Sequence, residues 1–283
     1  MTMSNTENHY PNQSELGKKA EYDSHYNPDK LFPILRKLNR DKIHVPEKLP
    51  FSGFDIWNHY EVSWLNEKGK PIVGLAQIIY SCDSPYIIES KSMKLYFNSF
   101  NNTQIENTET LQSIIKKDLE ARISAPVDVK ISLIKNLREE PLVPTFQGIC
   151  IDDLDIDCSL YTLNPSYLYS ENEWVSETLY SDILKSNCLV TNQPDWGSLQ
   201  IIYEGNKINH EGLLRYLVSF RNCNEFSETC IERIFMDIMH HCEPKKLTVY
   251  GRFTRRGGID INPLRSTNRD MMLDQFNLRL VRQ

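Results

Sequence analysis

The chain repeats itself, and that constrains its fold more than any other feature. The run GLAQIIY at Gly74 to Tyr80 returns as GSLQIIY at Gly197 to Tyr203, with Gly, Gln, Ile, Ile and Tyr in matching places. Further on, LYFNSF at Leu95 to Phe100 is echoed by RYLVSF at Arg215 to Phe220, and KISL at Lys130 by KLTV at Lys246. The three echoes keep their order, at offsets of 123, 120 and 116 residues. A chain of 283 residues has room for two domains of ordinary size. Two tandem copies of one architecture are the simplest account, because a period this long is not that of a solenoid.

Local patterns agree in both halves. Tyr60 to Leu65 and Ile72 to Tyr80 are β-prone runs joined by the turn-like NEKGK, which predicts a hairpin. A helix is expected over Lys91 to Phe100, and a second follows on the apolar stripe Leu111, Ile114, Ile115 and Leu119. DVKISLI then returns to strand. In the second half Leu189 to Thr191 and Leu199 to Tyr203 read as strands, His210 to Phe220 as helix, and Ile231, Ile234, Phe235 and Ile238 mark an amphipathic helix. KLTVYGRF closes that copy. Each half thus reads β-β-α-α-β, with room for one more strand, and the α+β solution for that order is an antiparallel sheet with paired helices on one face. The Pro-, Asp- and Tyr-rich stretch from Arg138 to Glu173 reads as a connection with some strand of its own.

Charge and cysteine usage exclude several classes. A net charge of -6 offers no basic footprint for a phosphate backbone, which argues against direct nucleic-acid binding. The polar N-terminus has no signal-like apolar run and no stretch has membrane-spanning length, so a cytoplasmic location is expected. Seven cysteines without framework spacing fit a reducing compartment. No metal is expected: there is no C-x-x-C pair, and His240, His241 and Cys242 are adjacent residues that a helix points apart. The acidic cluster Asp152, Asp153, Asp155 and Asp157 lacks the glycine and terminal glutamate of a calcium loop and reads as a solvated face. Glycine-rich nucleotide loops and hydrolase elbows are missing.

Four short constellations remain. In NCLVTNQPDW, Cys188 is either a small buried hydrophobe or a thiol nucleophile with Asp195 as carboxyl proton donor. In IIESKSMK, Glu89, Ser90 and Lys91 stand at the entry to a helix, where a hydroxyl and a lysine suit a phosphate and an ordinary capped start is the plainer reading. FTRRGGID offers an arginine fork and close-approach glycines, or an exposed bulge. EFSE places Glu228 at the head of the last long helix, where a carboxylate can accept two N–H bonds from a guanine-like edge or simply sit stably near the helix N-terminus.

Together with LNRDK, FDIWNHYEVSWLN, LLRYLVSFRNCNEF and the remainder of FTRRGGIDINP, these stretches resemble the 7-cyano-7-deazaguanine reductases, NADPH-dependent nitrile reductases of queuosine biosynthesis, in their two-module form. The resemblance runs over nearly the whole chain. It implies two tandem tunnelling-fold (T-fold) modules, a homodimer, NADPH as cosubstrate, and neither metal nor flavin. By it, Cys188 matches the nucleophile that forms a thioimide with the nitrile, and Asp195 the proton donor. Ile88, Glu89, Ser90, Ser227 and Glu228 match substrate contacts; Ser90, Lys91, Arg256 and Gly257 match NADPH contacts. The implied boundaries are an extension over 1–45, a first module over 46–140, a connection over 141–173 and a second module over 174–283.

The implied reaction turns a nitrile into a primary amine with four electrons from two NADPH. Its substrate is a free base, so a tRNA-modification pathway and an acidic protein do not conflict. One departure stands out: the family has histidine before the glutamate, and this chain has Ser227. Serine can hydrogen-bond but cannot titrate near neutral pH. That motivates an alternative expectation, a deazapurine-binding homologue with impaired turnover. A zinc-dependent pterin cyclohydrolase on the same fold would need a His/Cys ligand set that the sequence does not offer.

Overall fold

The computed structural model describes residues 23–137, 142–189, 191–270, 276 and 278–283. Most of the N-terminal stretch read above as lacking a signal lies outside these residues. Two short elements come first, β1 (Pro33–Leu35) and α1 (Arg36–Lys42). The expected hairpin follows as β2 (Ser52–Leu65) and β3 (Pro71–Ser81), then β4 (Tyr86–Ile88), α2 (Ser90–Asn98), α3 (Thr108–Ile123) and β5 (Val127–Leu133). Among the described residues the connection contributes the short strand β6 (Ile149–Cys150) and the first residues of the long strand that opens the second series. The second series is β7 (Ser170–Asn187), β8 (Pro194–Ile208), α4 (His210–Val218), α5 (Ser227–Cys242), β9 (Lys246–Phe253) and β10 (Ile259–Ser266).

The order hairpin, helix, helix, strand occurs twice, as the repeat and the local patterns predict. One expectation fails. Leu189 to Thr191 is no strand: Leu189 and Thr191 lie in a turn, closed by Cys188 N–H donating to Gln193 O at 2.8 Å and Asn192 N–H to Cys188 O at 3.1 Å. The strand lies before the cysteine and is long. It begins at Ser170, inside the stretch read as connection, because Trp174 to Asn187 pair with β8 even where polar residues interrupt the apolar pattern. Backbone pairing does not require an apolar face.

One eight-stranded sheet runs β5-β3-β2-β10-β9-β8-β7-β6, antiparallel except for β6 beside β7. The joint is β10, paired with β9 and, from Ile259↔His59 to Ser266↔Ser52, with β2 of the other half. Side chains alternate across it. Trp57, Val62 and Trp64 of β2 join the core under α2 and α3, and Val249 of β9 that under α4 and α5, where Leu111, Ile115, Leu119, Ile231, Ile234, Phe235 and Ile238 are all buried. Each such side chain contributes roughly 1.5–3 kcal/mol. Ile56, Tyr250 and Leu264 face the other way, against Phe146 and Leu280.

The first 45 residues are not a loose appendage where they are described. β1 pairs with β4, and α1 feeds a buried charge cluster at the joint. Arg36 pairs with Asp55; Arg265 meets Asp55 at 2.9 Å and Glu232 at 2.8 Å; Arg40 meets Glu232 at 2.7 Å. Burial pushes the Asp55 carboxyl up, but Arg265 and Arg36 outweigh it and hold it below its ordinary value. Among the described residues no helix is long and apolar enough to cross a membrane.

Candidate functional site

The β7–β8 hairpin explains why a cysteine and an aspartate seven positions apart belong together. Asn187 pairs with Pro194 and Ser186 with Asp195, so Cys188 stands on the turn and Asp195 returns beside the strand it left. The segment before α5 docks on the same strand end, Asn187 N–H donating to Cys223 O at 2.8 Å and Glu225 N–H to Asn187 O at 3.1 Å. That contact delivers Ser227 and Glu228, the first two residues of α5, to the hairpin tip. From the other half, Glu89 N–H donates to Phe32 O at 2.9 Å, anchoring the entry to α2. The joint brings the parts together: β2 pairs with β10, and Tyr60 N–H donates to Gly258 O at 2.8 Å, holding the β9–β10 turn.

One cavity results, at the seam of the two halves. Ile88, Glu89, Ser90 and Lys94 line it from one half, Cys188, Asp195, Ser227, Glu228 and Arg256 from the other. All the residues singled out in the sequence except Lys91 and Gly257 are in its wall. Gly257 lies just behind, where an added Cβ would come within 2.9 Å of Lys94 Nζ. Phe253, Thr254, Ile259 and Ile261 complete the apolar part, with Glu225 and Phe226 at the α5 end. Sequence reading missed Lys94, although it lies inside a quoted motif, because nothing local separates it from a solvated helix lysine.

The electrostatics differ from group to group. Burial pushes the Asp195 carboxyl above its ordinary value, against Arg256, Lys94 and Lys185. Arg256 meets it at 3.4 Å and also donates to Gln193 Oε1 at 3.1 Å. Glu89 caps α2, accepting from Lys91 N–H at 2.8 Å and Ser92 N–H at 2.7 Å; burial raises its pKa although both bonds favour the anion. Glu228 is 3% exposed and is pushed up to about 8 by burial and then by the charge of Asp55, with Arg36 opposing. Its Oε1 has no hydrogen-bond partner. A buried carboxyl oxygen left in this way can accept from a donor that enters the cavity.

The β9–β10 turn fits a phosphate-bearing cosubstrate. Gly257 and Gly258 have φ of 60° and 74°, a left-handed pair against which the side chains of Lys94 and Glu61 pack closely, with Arg256 beside it. Among the described residues no group of three or more His, Cys, Asp or Glu is arranged to hold a metal ion. Asp152 of the acidic cluster instead accepts from Asp182 N–H at 2.7 Å.

The family model described as nitrile reductase, 7-cyano-7-deazaguanine-reductase N-term, matches residues 22–131, and that of the QueF-like proteins matches residues 194–271. A protein of Legionella pneumophila (strain Lens) named NADPH-dependent 7-cyano-7-deazaguanine reductase is 59% identical over 273 residues, 96% of this chain and 95% of its own. Proteins of the same name from Polaromonas sp. (strain JS666 / ATCC BAA-500) and Azoarcus sp. (strain BH72) are 50% and 47% identical, over 96% of this chain and 99% and 98% of theirs. The alternative raised by Ser227, a binding protein with impaired turnover, finds no support in them. With more than nine-tenths of its length aligned at such identities, this chain belongs to the family of NADPH-dependent 7-cyano-7-deazaguanine reductases.

Proposed function

We propose that the protein reduces the nitrile of 7-cyano-7-deazaguanine to the aminomethyl group through a thioimide on Cys188, with Asp195 as proton donor. The observation that carries this reading is the shared cavity of Cys188, Asp195 and Glu228, whose carboxyl keeps one oxygen, Oε1, without a hydrogen-bond partner. Glu228 accepts the N–H groups of the base's guanine-like edge, fixing the nitrile toward the hairpin tip, with Ile88, Glu89, Ser90 and Ser227 around the ring. The sulfur of Cys188 forms a bond to the nitrile carbon, one C–N π bond breaks, and the nitrogen takes the proton of Asp195, so this step changes no oxidation state.

Ser90, Lys91, Arg256 and Gly257 would hold NADPH, which would supply the hydride for each of two reductions. After the first, the carbon–sulfur bond breaks, Cys188 leaves as thiolate and an imine remains. The apolar wall of Phe253, Ile259 and Ile261 keeps water from that imine until its reduction.

The repeated element order supports two tandem T-fold modules, 46–140 and 174–283, with the second strand pair starting earlier, at Ser170. Among the described residues β5 pairs only with β3, which leaves a sheet edge of the kind a second subunit covers and supports a homodimer. The acidic charge fits a cytoplasmic enzyme acting on a free base, without direct nucleic-acid binding. Intact mass after mixing with 7-cyano-7-deazaguanine and no NADPH tests the mechanism. The protein gains one substrate mass, Cys188→Ala gains none, and NADPH clears the adduct to amine. Turnover by Cys188→Ala, or an adduct elsewhere, would sink it.

A further inference from the structure

A thiol that attacks a nitrile must first become a thiolate, which a nearby uncommitted positive charge favours. The cations and anions around Cys188 can be taken in turn. Lys185 Nζ is held by Asn187 Oδ1 and Arg221 O, both at 2.6 Å. Arg256 is engaged by Asp195 and Gln193. From β2, His59 accepts no charge, since burial holds its imidazole down at about 4. Glu89 is spent on the amides of α2, and Glu225 is paired with Arg233. Glu228 carries a proton near neutral pH. Among the described residues the ammonium of Lys94 makes no hydrogen bond or ion pair, and Lys94 lines the same cavity as Cys188.

Lys94 is also held in place. Its position on α2 lies one turn beyond the Glu89 cap, and the turn residue Gly257 packs over its Cδ, Cε and Nζ, so tightly that a Cβ there would lie 2.9–3.1 Å from all three. We infer that Lys94 is a positioning residue of the reaction, a fixed ammonium from the first half that keeps Cys188 of the second half in its thiolate form. The thiol proton passes to solvent before substrate binds, and sulfur then attacks as an anion. Burial and Arg256 lower the pKa of Lys94, while Glu89, Asp195 and Cys188 oppose them, so the lysine and the thiol sense each other's charge. The inference deepens the reductase reading and rests on it.

The test is the pH dependence of iodoacetamide alkylation of Cys188, followed peptide by peptide in the full-length protein without substrate. Lys94→Met keeps an unbranched side chain of nearly the same length and removes its charge. Its Cys188 is expected to react about five- to tenfold more slowly at pH 7, with the midpoint of the profile moved upward, and Lys94→Arg to stay within about twofold of the parent. Cys150 and Cys158, half-exposed outside the cavity, report on folding and keep their rates in every variant. Superimposable profiles for parent and Lys94→Met, with Cys150 and Cys158 unchanged, would overturn the inference, as would equal slowing in Lys94→Arg. No substrate enters the assay, so failure of the nitrile adduct described above would remove the reductase reading and leave this result standing.

Discussion

The two halves begin their second long helix with the same pair of residue types and use them differently. α3 opens on Thr108 and Glu109, α5 on Ser227 and Glu228. Asn107 caps α3, its side chain accepting from Thr110 N–H, and Glu109 is exposed. Phe226 stands in the cap position of α5 and makes no side-chain cap, while Glu228 is buried against the site. A missing cap costs about 1 kcal/mol, and a buried carboxyl oxygen without a partner about 1–3 kcal/mol. The halves match where residues serve packing and part where one lines the cavity. Ser99 and Ser219 each donate to the carbonyl of the tyrosine three residues before, at 2.6 Å, and Tyr96 and Tyr216 each stack on the phenylalanine four residues later, with ring centroids 5.2 Å apart.

The contrast would break first at the two glutamates. Glu228→Gln is expected to weaken 7-cyano-7-deazaguanine binding by at least about 100-fold, because an amide offers one acceptor where two N–H groups need a carboxylate, while Glu109→Gln stays within about twofold. Calorimetric titration of both variants decides it. Similar losses would mean that the burial of Glu228 has no bearing on the ligand.

Next comes pH. With its carboxyl pushed up to about 8, the empty site holds Glu228 mostly protonated at pH 7, whereas the bound base requires the anion. Binding therefore releases a proton, and affinity is expected to rise about tenfold from pH 6 to 7 and to level off above 8. Titrations in buffers of different ionisation heat would count that proton, and a flat profile would refute the assignment.

The matched tyrosines sharpen the comparison at smaller scale. Tyr216 OH donates to Asp237 at 2.6 Å and Tyr96 OH to Asp118 at 2.7 Å, but Asp118 also accepts from Tyr26 at 2.7 Å. Tyr216→Phe is expected to lose about 1–2 kcal/mol in denaturant unfolding and Tyr96→Phe about half as much, since one donor remains. Equal losses would show the repeat to be energetically symmetric. Ser227→Ala is expected to have the smallest effect, a rise in substrate KM of about threefold or less, as one neutral hydroxyl at a half-buried helix start allows.

The repeat, both helix pairs and five strands of the sheet were legible in the sequence, because their signals are local: a period of 2 or 3.6 in apolar residues, or a turn between β-prone runs. Cys188, Asp195 and Glu228 were legible as residue types, and their grouping, implied by resemblance, is met by one shared cavity. What the chain does at longer range only the tertiary structure decided. The start of β7 in a polar stretch, the turn at Leu189, and the joining of the halves through β10 and β2 depend on partners up to some 200 residues away. So do the buried charges of Arg36, Asp55, Glu232 and Arg265, and the place of Lys94 under Gly257. Propensity acts over a few neighbouring residues, whereas burial and pairing act across the whole molecule, and a lysine or glutamate reads the same in either setting until its surroundings are assembled.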